Sequence, residues 1–234
     1  MQVNASLLDR FAGLLSSWDW HVALLQEAPP RWLRPLGTWC RASGVGALTS
    51  RNLLAPLRAA AAEWNPDLIA SNEGGSNIVL VRAPARVVEV ERVVLAVRPE
   101  RRRLLLARVQ LPDGRHLAVA NTHLSVPSTG RGHAEALVGA DHAVRFAGQA
   151  PLLFGGDLNL RPAREPQAFE ELRERHGLAP PTAPDSIDHL LVRGLDVVGA
   201  PAALAPEDRE VPGPGGRAVR LSDHAPVTGT FGMR

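Results

Sequence analysis

Four short segments of this chain share one pattern: each is an apolar run that ends in polar groups able to hold a cation or a phosphate. They are Leu24-Leu25-Gln26-Glu27, Asn121-Thr122-His123-Leu124, Gly155-Gly156-Asp157-Leu158-Asn159 and Leu221-Ser222-Asp223-His224. A strand end is a rigid platform, so polar groups set there converge at one edge of a sheet. The carboxylates and the amide offer oxygen donors, which suit a hard divalent cation that keeps several of its waters. His123 and His224 add imidazoles, whose charge changes near neutral pH. Singly, each segment has a plain reading. Glu27 is then a surface residue after a strand, His123 a satisfied histidine near the core, and Asp157 and Asn159 turn formers.

Together and in this order, the segments resemble the endonuclease/exonuclease/phosphatase family, the DNase I-like superfamily. The resemblance runs from residue 24 to residue 231. It rests on Gln26-Glu27 after an apolar strand, Thr122-His123-Leu124, Gly156-Asp157-Leu158-Asn159, Asp188 within Ser186-Ile187-Asp188-His189, and Ser222-Asp223-His224. It implies a four-layered α/β sandwich, with two mixed β-sheets packed face to face and helices outside. It also implies metal-dependent hydrolysis of a phosphoester, nuclease activity being one form. The implied catalytic residues are His123, Asp157, Asn159, Asp188 and His224, the implied metal ligands are Glu27 and Asp223, and the implied cofactor is Mg²⁺, with Mn²⁺ as a substitute. On this resemblance Asp188 fixes the tautomer of His224, and either Asp157 or His224 takes the proton of the attacking water. His123 donates to a phosphate oxygen or protonates the leaving group, and Asn159 donates to the phosphate. Asp157 and Asn159 stand two apart, so both face one side if the strand end is extended.

The likeness departs at its start. The family begins with a strand that carries an Asn near the metal, whereas Met1-Gln2-Val3-Asn4 leads almost at once into a helix. Either that first strand is missing, or Asn4 takes its role in an altered geometry. The chain has no tyrosine, so the phosphate-contacting Tyr of some nucleases has no counterpart. Glu73 is a partner for His123, or Glu73-Gly74-Gly75 is simply a turn. The alternative function is a non-catalytic binding domain derived from the family after loss of the first strand. Intact Asp157, Asn159, Asp188, Asp223 and His224 argue against it.

The elements that must position these residues follow from hydrophobic spacing. Ser6 to Trp18 predicts an amphipathic helix, with Leu7, Leu8, Phe11, Leu14 and Leu15 on one face. His21 to Glu27 predicts a strand that Pro29-Pro30 ends. Gly44 to Ser50, Ser76 to Val81, Arg86 to Val97, Leu104 to Leu111 and His116 to Asn121 predict further strands, the last two joined by a tight turn at Pro112-Asp113-Gly114. Leu53 to Trp64, Arg131 to Phe146 and Pro166 to His176 predict helices. Leu152 to Gly155, Ile187 to Val192, Leu195 to Val198 and Val219 to Phe231 predict strands, the last broken at Ser222-Asp223-His224. Ala205 to Arg217, rich in Pro and Gly, predicts a mobile loop.

At 234 residues and 45% apolar, the chain suits one domain over 1–234 with a large core. Cys40 is the single cysteine, which excludes an internal disulfide and a multi-cysteine zinc site. No leader and no bilayer-spanning apolar segment is visible, so the expectation is a cytoplasmic monomer acting on a phosphoester, nucleic acid among the candidates. The net charge is +2, yet the pI is 9.8, because all 26 basic side chains are arginine and none is lysine. That pI is weak evidence for nucleic-acid binding. Arg98, Arg101, Arg102 and Arg103 form the densest positive run, readable as a phosphate contact but more simply as a solvated turn between strands. Trp18, Trp20, Trp32, Trp39 and Trp64 read as packing residues rather than a base-stacking platform. Composition does not choose among DNA, RNA, lipid and inositol-phosphate substrates.

Overall fold

A computed structural model of the chain describes residues 7–49, 75–98 and 100–234. Asn4, Glu73, Trp64 and the helix expected over Leu53 to Trp64 lie outside the described residues. The elements in chain order are α1 (Leu8–Ser17), β1 (Val22–Ala28), α2 (Leu33–Trp39), β2 (Ala42–Leu48), β3 (Ser76–Arg82), β4 (Arg86–Ala96), β5 (Arg102–Gln110), β6 (His116–His123), α3 (Gly132–Ala147), β7 (Leu152–Asp157), α4 (Pro166–His176), β8 (Asp188–Arg193), β9 (Leu195–Ala203), β10 (Glu210–Pro212), β11 (Ala218–Arg220) and β12 (Val227–Met233). No described helix is long and apolar enough to cross a membrane.

Strand β3 is buried from Ser76 to Val81 and β7 along its whole length, as expected of apolar runs without polar alternation. These strands form the middle of the molecule. One sheet has the order β1-β3-β2 and is antiparallel throughout; the other has the order β4-β5-β6-β7-β8 and is mixed, β6 and β7 being parallel. Alternation along each strand then divides the core into layers. Leu105, Ala107 and Val109 of β5 with Val119 of β6 and Leu153 of β7 meet Val79 and Val81 of β3 between the sheets. The opposite faces of β5, β6 and β7 present Leu104, Leu106, Ala118, Ala120, Leu152 and Phe154 to Ala136, Ala140 and Ala143 of α3 and Leu172 of α4. On the far side Ala12 and Leu15 of α1 and Leu36 of α2 cover Ile78 and Leu80 of β3. Helices, sheet, sheet and helices make the four-layered α/β sandwich.

Several details differ from the sequence expectation. Helix α2 is an addition to the elements expected above, and it contains Pro35 and Gly37. Pro35 falls in the first turn, where its missing N–H removes no intrahelical bond. The segment from Ala205 to Arg217 carries a turn of 3₁₀ helix at Pro206–Arg209 and then β10, which pairs with β11. The last expected strand is two, β11 and β12, and β12 pairs with β9 in a ribbon outside the five-stranded sheet.

Two buried amides cross the apolar seam between the sheets, and the first, Asn77 of β3, donates through Nδ2 to the Arg103 carbonyl of β5 at 2.8 Å. Asn121 of β6 is fully buried, and its Nδ2 donates to the Leu25 carbonyl of β1 at 3.0 Å and to the Ile78 carbonyl of β3 at 2.8 Å. Its Oδ1 accepts from Gln26 Nε2 at 2.7 Å. A carboxamide has donors and an acceptor to meet all three partners, which an apolar residue lacks. Substituting Asn121→Ala strands the two carbonyls and is expected to cost about 2–5 kcal/mol in urea unfolding. A loss under about 1 kcal/mol would show that water or a neighbour meets these groups instead.

Candidate active site

Three neighbouring strands deliver side chains to the same edge of the mixed sheet. His123, the last residue of β6, stands opposite Asp157, the last residue of β7, and Asp157 stands opposite Asp188, the first residue of β8. Residues directly opposite one another share a face of the sheet, so the imidazole and the two carboxylates are forced together by register. The two positions before Asp157 have no room for side chains. A Cβ on Gly155 would lie 2.4 Å from the His189 carbonyl, and one on Gly156 would lie 2.1 Å from the Thr122 carbonyl. Gly156 also has φ +120°, so any other residue there would push the strands apart.

Two further groups arrive from elsewhere. Glu27 reaches the site from the other sheet through an irregularity of β1 between Leu25 and Ala28, where its own φ is +53°. A bulge of this kind redirects a side chain, and a left-handed non-glycine residue costs about 1–3 kcal/mol, held here by the strands around it. The Glu27 side chain is 75% exposed, with Oε1 3.6 Å from His123 Nδ1. His224 lies on the connection between β11 and β12. Its Nδ1 is 2.9 Å from Asp188 Oδ2 and 4.0 Å from Asp157 Oδ2. The Ser222 hydroxyl accepts the His224 backbone N–H at 3.2 Å and so shapes the approach of that loop. Asp223 is exposed, and its backbone carbonyl accepts a hydrogen bond from Arg209.

Asn159 takes a different place from the one strand alternation suggests. β7 ends at Asp157, Leu158 turns into the core, and Asn159 has φ +52°. The rule that residues two apart share a face holds only for extended backbone. Asn159 braces its neighbours from this position. Its backbone N–H donates to Asp157 Oδ1 at 3.0 Å, and its Nδ2 donates to the Leu124 carbonyl at 3.0 Å. A second brace, Glu135 of α3, shows no signal in the sequence. Its buried carboxylate accepts the Ser125 backbone N–H at 2.8 Å and the Ser125 hydroxyl at 2.7 Å, pinning the loop that leaves His123. His189 is also structural: Nε2 bonds the Leu160 carbonyl at 3.0 Å, and Nδ1 accepts from the Thr182 N–H at 3.1 Å.

Burial and crowding set the charges. Asp157 is pushed up to about 6, first by burial and then by the adjacent Asp188 carboxylate. His123 is driven down to about 3 by burial, with the positive charges of Arg102 and His224 adding to it. Its contacts to Glu27, at 3.6 Å, and to Asp157, at 3.4 Å, are longer than a hydrogen bond and do not rescue the charged form. His224 is raised to about 9 by its hydrogen bond to Asp188, with the charges of Asp188, Asp157 and Asp223 helping against partial burial.

Among the described residues, ligand atoms of Asp157, Asp188 and His224 lie within 4.8 Å of one another, the one group of three with metal-ligand spacing. Arg102, read from the sequence as part of a solvated turn, is buried.

The model of the Endonuclease/Exonuclease/phosphatase family matches residues 1–224. No curated protein matches the chain by sequence. Solved structures do. A functionally unknown conserved protein from Enterococcus faecalis V583 is 17% identical with a TM-score of 0.70, over 97% of this chain and 91% of that one. The mannosyl-6-phosphatase of Bacteroides thetaiotaomicron is 14% identical with a TM-score of 0.70, over 96% and 90%. The human Nocturnin catalytic domain with bound sulfate is 15% identical with a TM-score of 0.69, over 97% and 87%. At these identities the likeness is one of fold.

The raised Asp157 makes a prediction in metal-free protein. A carboxyl whose folded pKa of about 6 exceeds its unfolded value of 3.8 weakens the fold once it ionises. The penalty is absent below about pH 3.8, grows between there and about pH 6, and is fully present above. Asp157→Asn keeps the acceptor for the Asn159 N–H and removes the charge. Urea unfolding in EDTA is expected to show the variant gaining on the parent as pH rises through that window. A difference that stays flat from pH 4 to 7 would contradict it.

Proposed function

Because the chain belongs to the Endonuclease/Exonuclease/phosphatase family, we propose that it is a Mg²⁺-dependent phosphoesterase, in which Asp157 activates water for attack on a phosphodiester or phosphomonoester. The observation that carries this reading is the convergence of His123, Asp157 and Asp188 on adjacent strand ends, with His224 bonded to Asp188 at 2.9 Å.

The donor set fits a hard divalent cation. Glu27, Asp157, Asp188 and Asp223 offer carboxylate oxygens, and the His224 nitrogen nearest them is committed to Asp188. Glu27, with its exposed carboxylate, would hold the ion, and Asp223 would join it directly or through water. When bound, the ion supplies charge neutralisation of the phosphoryl oxygens and of the leaving oxygen.

The protein groups divide the remaining work. Asp157 has Oδ1 fixed by the Asn159 N–H, so Oδ2 is the oxygen free to hold the attacking water and accept its proton. Burial and the adjacent Asp188 carboxylate make it a stronger base than a surface carboxylate, yet still ionised near neutral pH. His224, with Nδ1 taken by Asp188, presents Nε2–H as a donor to the phosphoryl group. The Asp188 bond keeps that ring oriented. His123, neutral and buried, has one N–H and serves as a donor at the floor of the site. This reading resolves the choice between Asp157 and His224 in favour of Asp157 as base.

The test uses a panel of plasmid DNA, abasic DNA, RNA, inositol phosphates and sphingomyelin. Hydrolysis is expected to vanish in EDTA and return with Mg²⁺ or Mn²⁺. Asp157→Ala and His224→Ala are each expected to lower kcat about 10²- to 10⁴-fold while the thermal unfolding midpoint shows a folded protein. Activity that survives chelation, or near-parental kcat in both variants, would remove the mechanism. A parent that cleaves nothing and binds no Mg²⁺ by calorimetry would leave a binding domain.

A further inference from the structure

Strand β5 opens with Arg102 and runs antiparallel to β6, with Leu104 opposite Thr122. The start of β5 therefore lies at the edge where β6 delivers His123. An arginine at the mouth of a strand is usually solvated, but the Arg102 side chain is only 7% exposed. Its Nε is buried without a hydrogen-bond partner, and so is the Nε of Arg103 beside it. A guanidinium carries five N–H donors in a rigid fork, and leaving one unmet in the interior is costly. A tetrahedral anion, with several acceptor oxygens, meets such a fork in a bidentate way. The charge of Arg102 reaches the reacting groups, since it lowers the proton affinity of both His123 and Asp157. Glu27, Asp157 and Asp188 crowd this edge with carboxylates, and Arg102 adds to the raised His224 a second positive charge for an anionic substrate to meet.

A carboxylate already sits on that cation. Arg102 Nη2 is 2.7 Å from Glu100 Oε2, and the Glu100 side chain is 68% exposed on the short connection between β4 and β5. A solvent-facing partner is held weakly and can swing away.

We propose that Arg102 binds the phosphoryl group of the substrate and that Glu100 is its built-in competitor, a carboxylate that occupies the guanidinium until the phosphoryl oxygens displace it. The inference rests on the phosphoesterase reading above and adds to it a binding residue and a carboxylate that sets apparent affinity. Glu100 touches none of the groups that handle water or proton, so its removal acts on binding alone.

The test is calorimetric titration of inorganic phosphate into the parent, Glu100→Gln and Arg102→Gln proteins in EDTA, followed by hydrolysis kinetics in Mg²⁺ on any substrate the parent cleaves. Glu100→Gln is expected to bind phosphate roughly two- to fivefold tighter, the range a surface ion pair can withhold, and to lower KM by a similar factor with kcat unchanged. Arg102→Gln is expected to lose phosphate binding at least about tenfold. Arg102 is buried and its variant can fail to fold; Glu100→Gln changes an exposed side chain and decides the matter by itself. Phosphate affinity in Glu100→Gln equal to or weaker than in the parent overturns the inference, as does undiminished binding in folded Arg102→Gln. Hydrolysis that persists alongside either result leaves the phosphoesterase reading standing. Arg102-dependent phosphate binding in a parent that hydrolyses nothing does the reverse.

Discussion

A sheet-on-sheet interface made only of Leu, Val and Ala side chains is slippery, because dispersion and hydrophobic burial are non-directional. The Asn121 carboxamide removes that freedom. It bonds two carbonyls of the antiparallel sheet and the Gln26 amide from a position two residues before His123. One sheet supplies His123, Asp157 and Asp188, and the other supplies Glu27. Their distances therefore depend on how the sheets are registered, and the buried Asn121 amide fixes it together with Asn77, whose Nδ2 donates to the Arg103 carbonyl. Gly156 belongs to the same arrangement. A Cβ there would fall 2.9 Å from Asn121 Oδ1 and 3.0 Å from Gln26 Nε2, so the bare glycine leaves the space through which the network reaches.

The site is built against its own stability. Asp157 and Asp188 are direct neighbours across β7 and β8, and the first is buried. Two carboxylates in register repel, and the dry setting sharpens the repulsion. What holds them is a set of hydrogen bonds: the Asn159 N–H on Asp157, His224 on Asp188, and Glu135 on the loop after His123. The left-handed backbone at Glu27 and Asn159 has the same logic, since a strained residue persists only where its surroundings over-determine it.

Much of this was readable in the residues. Short unbroken apolar runs marked β3 and β7, and Pro166 and Gly177 bracket α4 at its first residue and just past its last. The polar segments at apolar-run ends marked side chains that the fold brings to one edge, because strand ends in register deliver their last residues together. The losses have a common cause. Alternation and periodicity describe regular backbone, and the missed features sit where it is irregular. Asn159 leaves the strand in a left-handed turn. Arg102 begins a strand beside a register shift in its β4 neighbour, where sequence spacing no longer tells inside from outside. Helix α2 starts with a proline in the first turn. The Glu135–Ser125 contact joins a helix to a loop through tertiary packing that no local pattern encodes.

His224 is set apart from its partners by the route it takes to them. His123, Asp157 and Asp188 belong to the five-stranded sheet, while His224 hangs from the connection between β11 and β12, in strands that pair only with β10 and β9. The hydrogen bond to Asp188 thus joins two parts of the chain that share no strand pairing. Such ribbons open at lower free energy than a central sheet. Undocking of these strands would carry the histidine away from Asp188 while the carboxylates stay on the five-stranded sheet, so the Asp188–His224 bond ties the geometry of the edge to the docking of a separate ribbon.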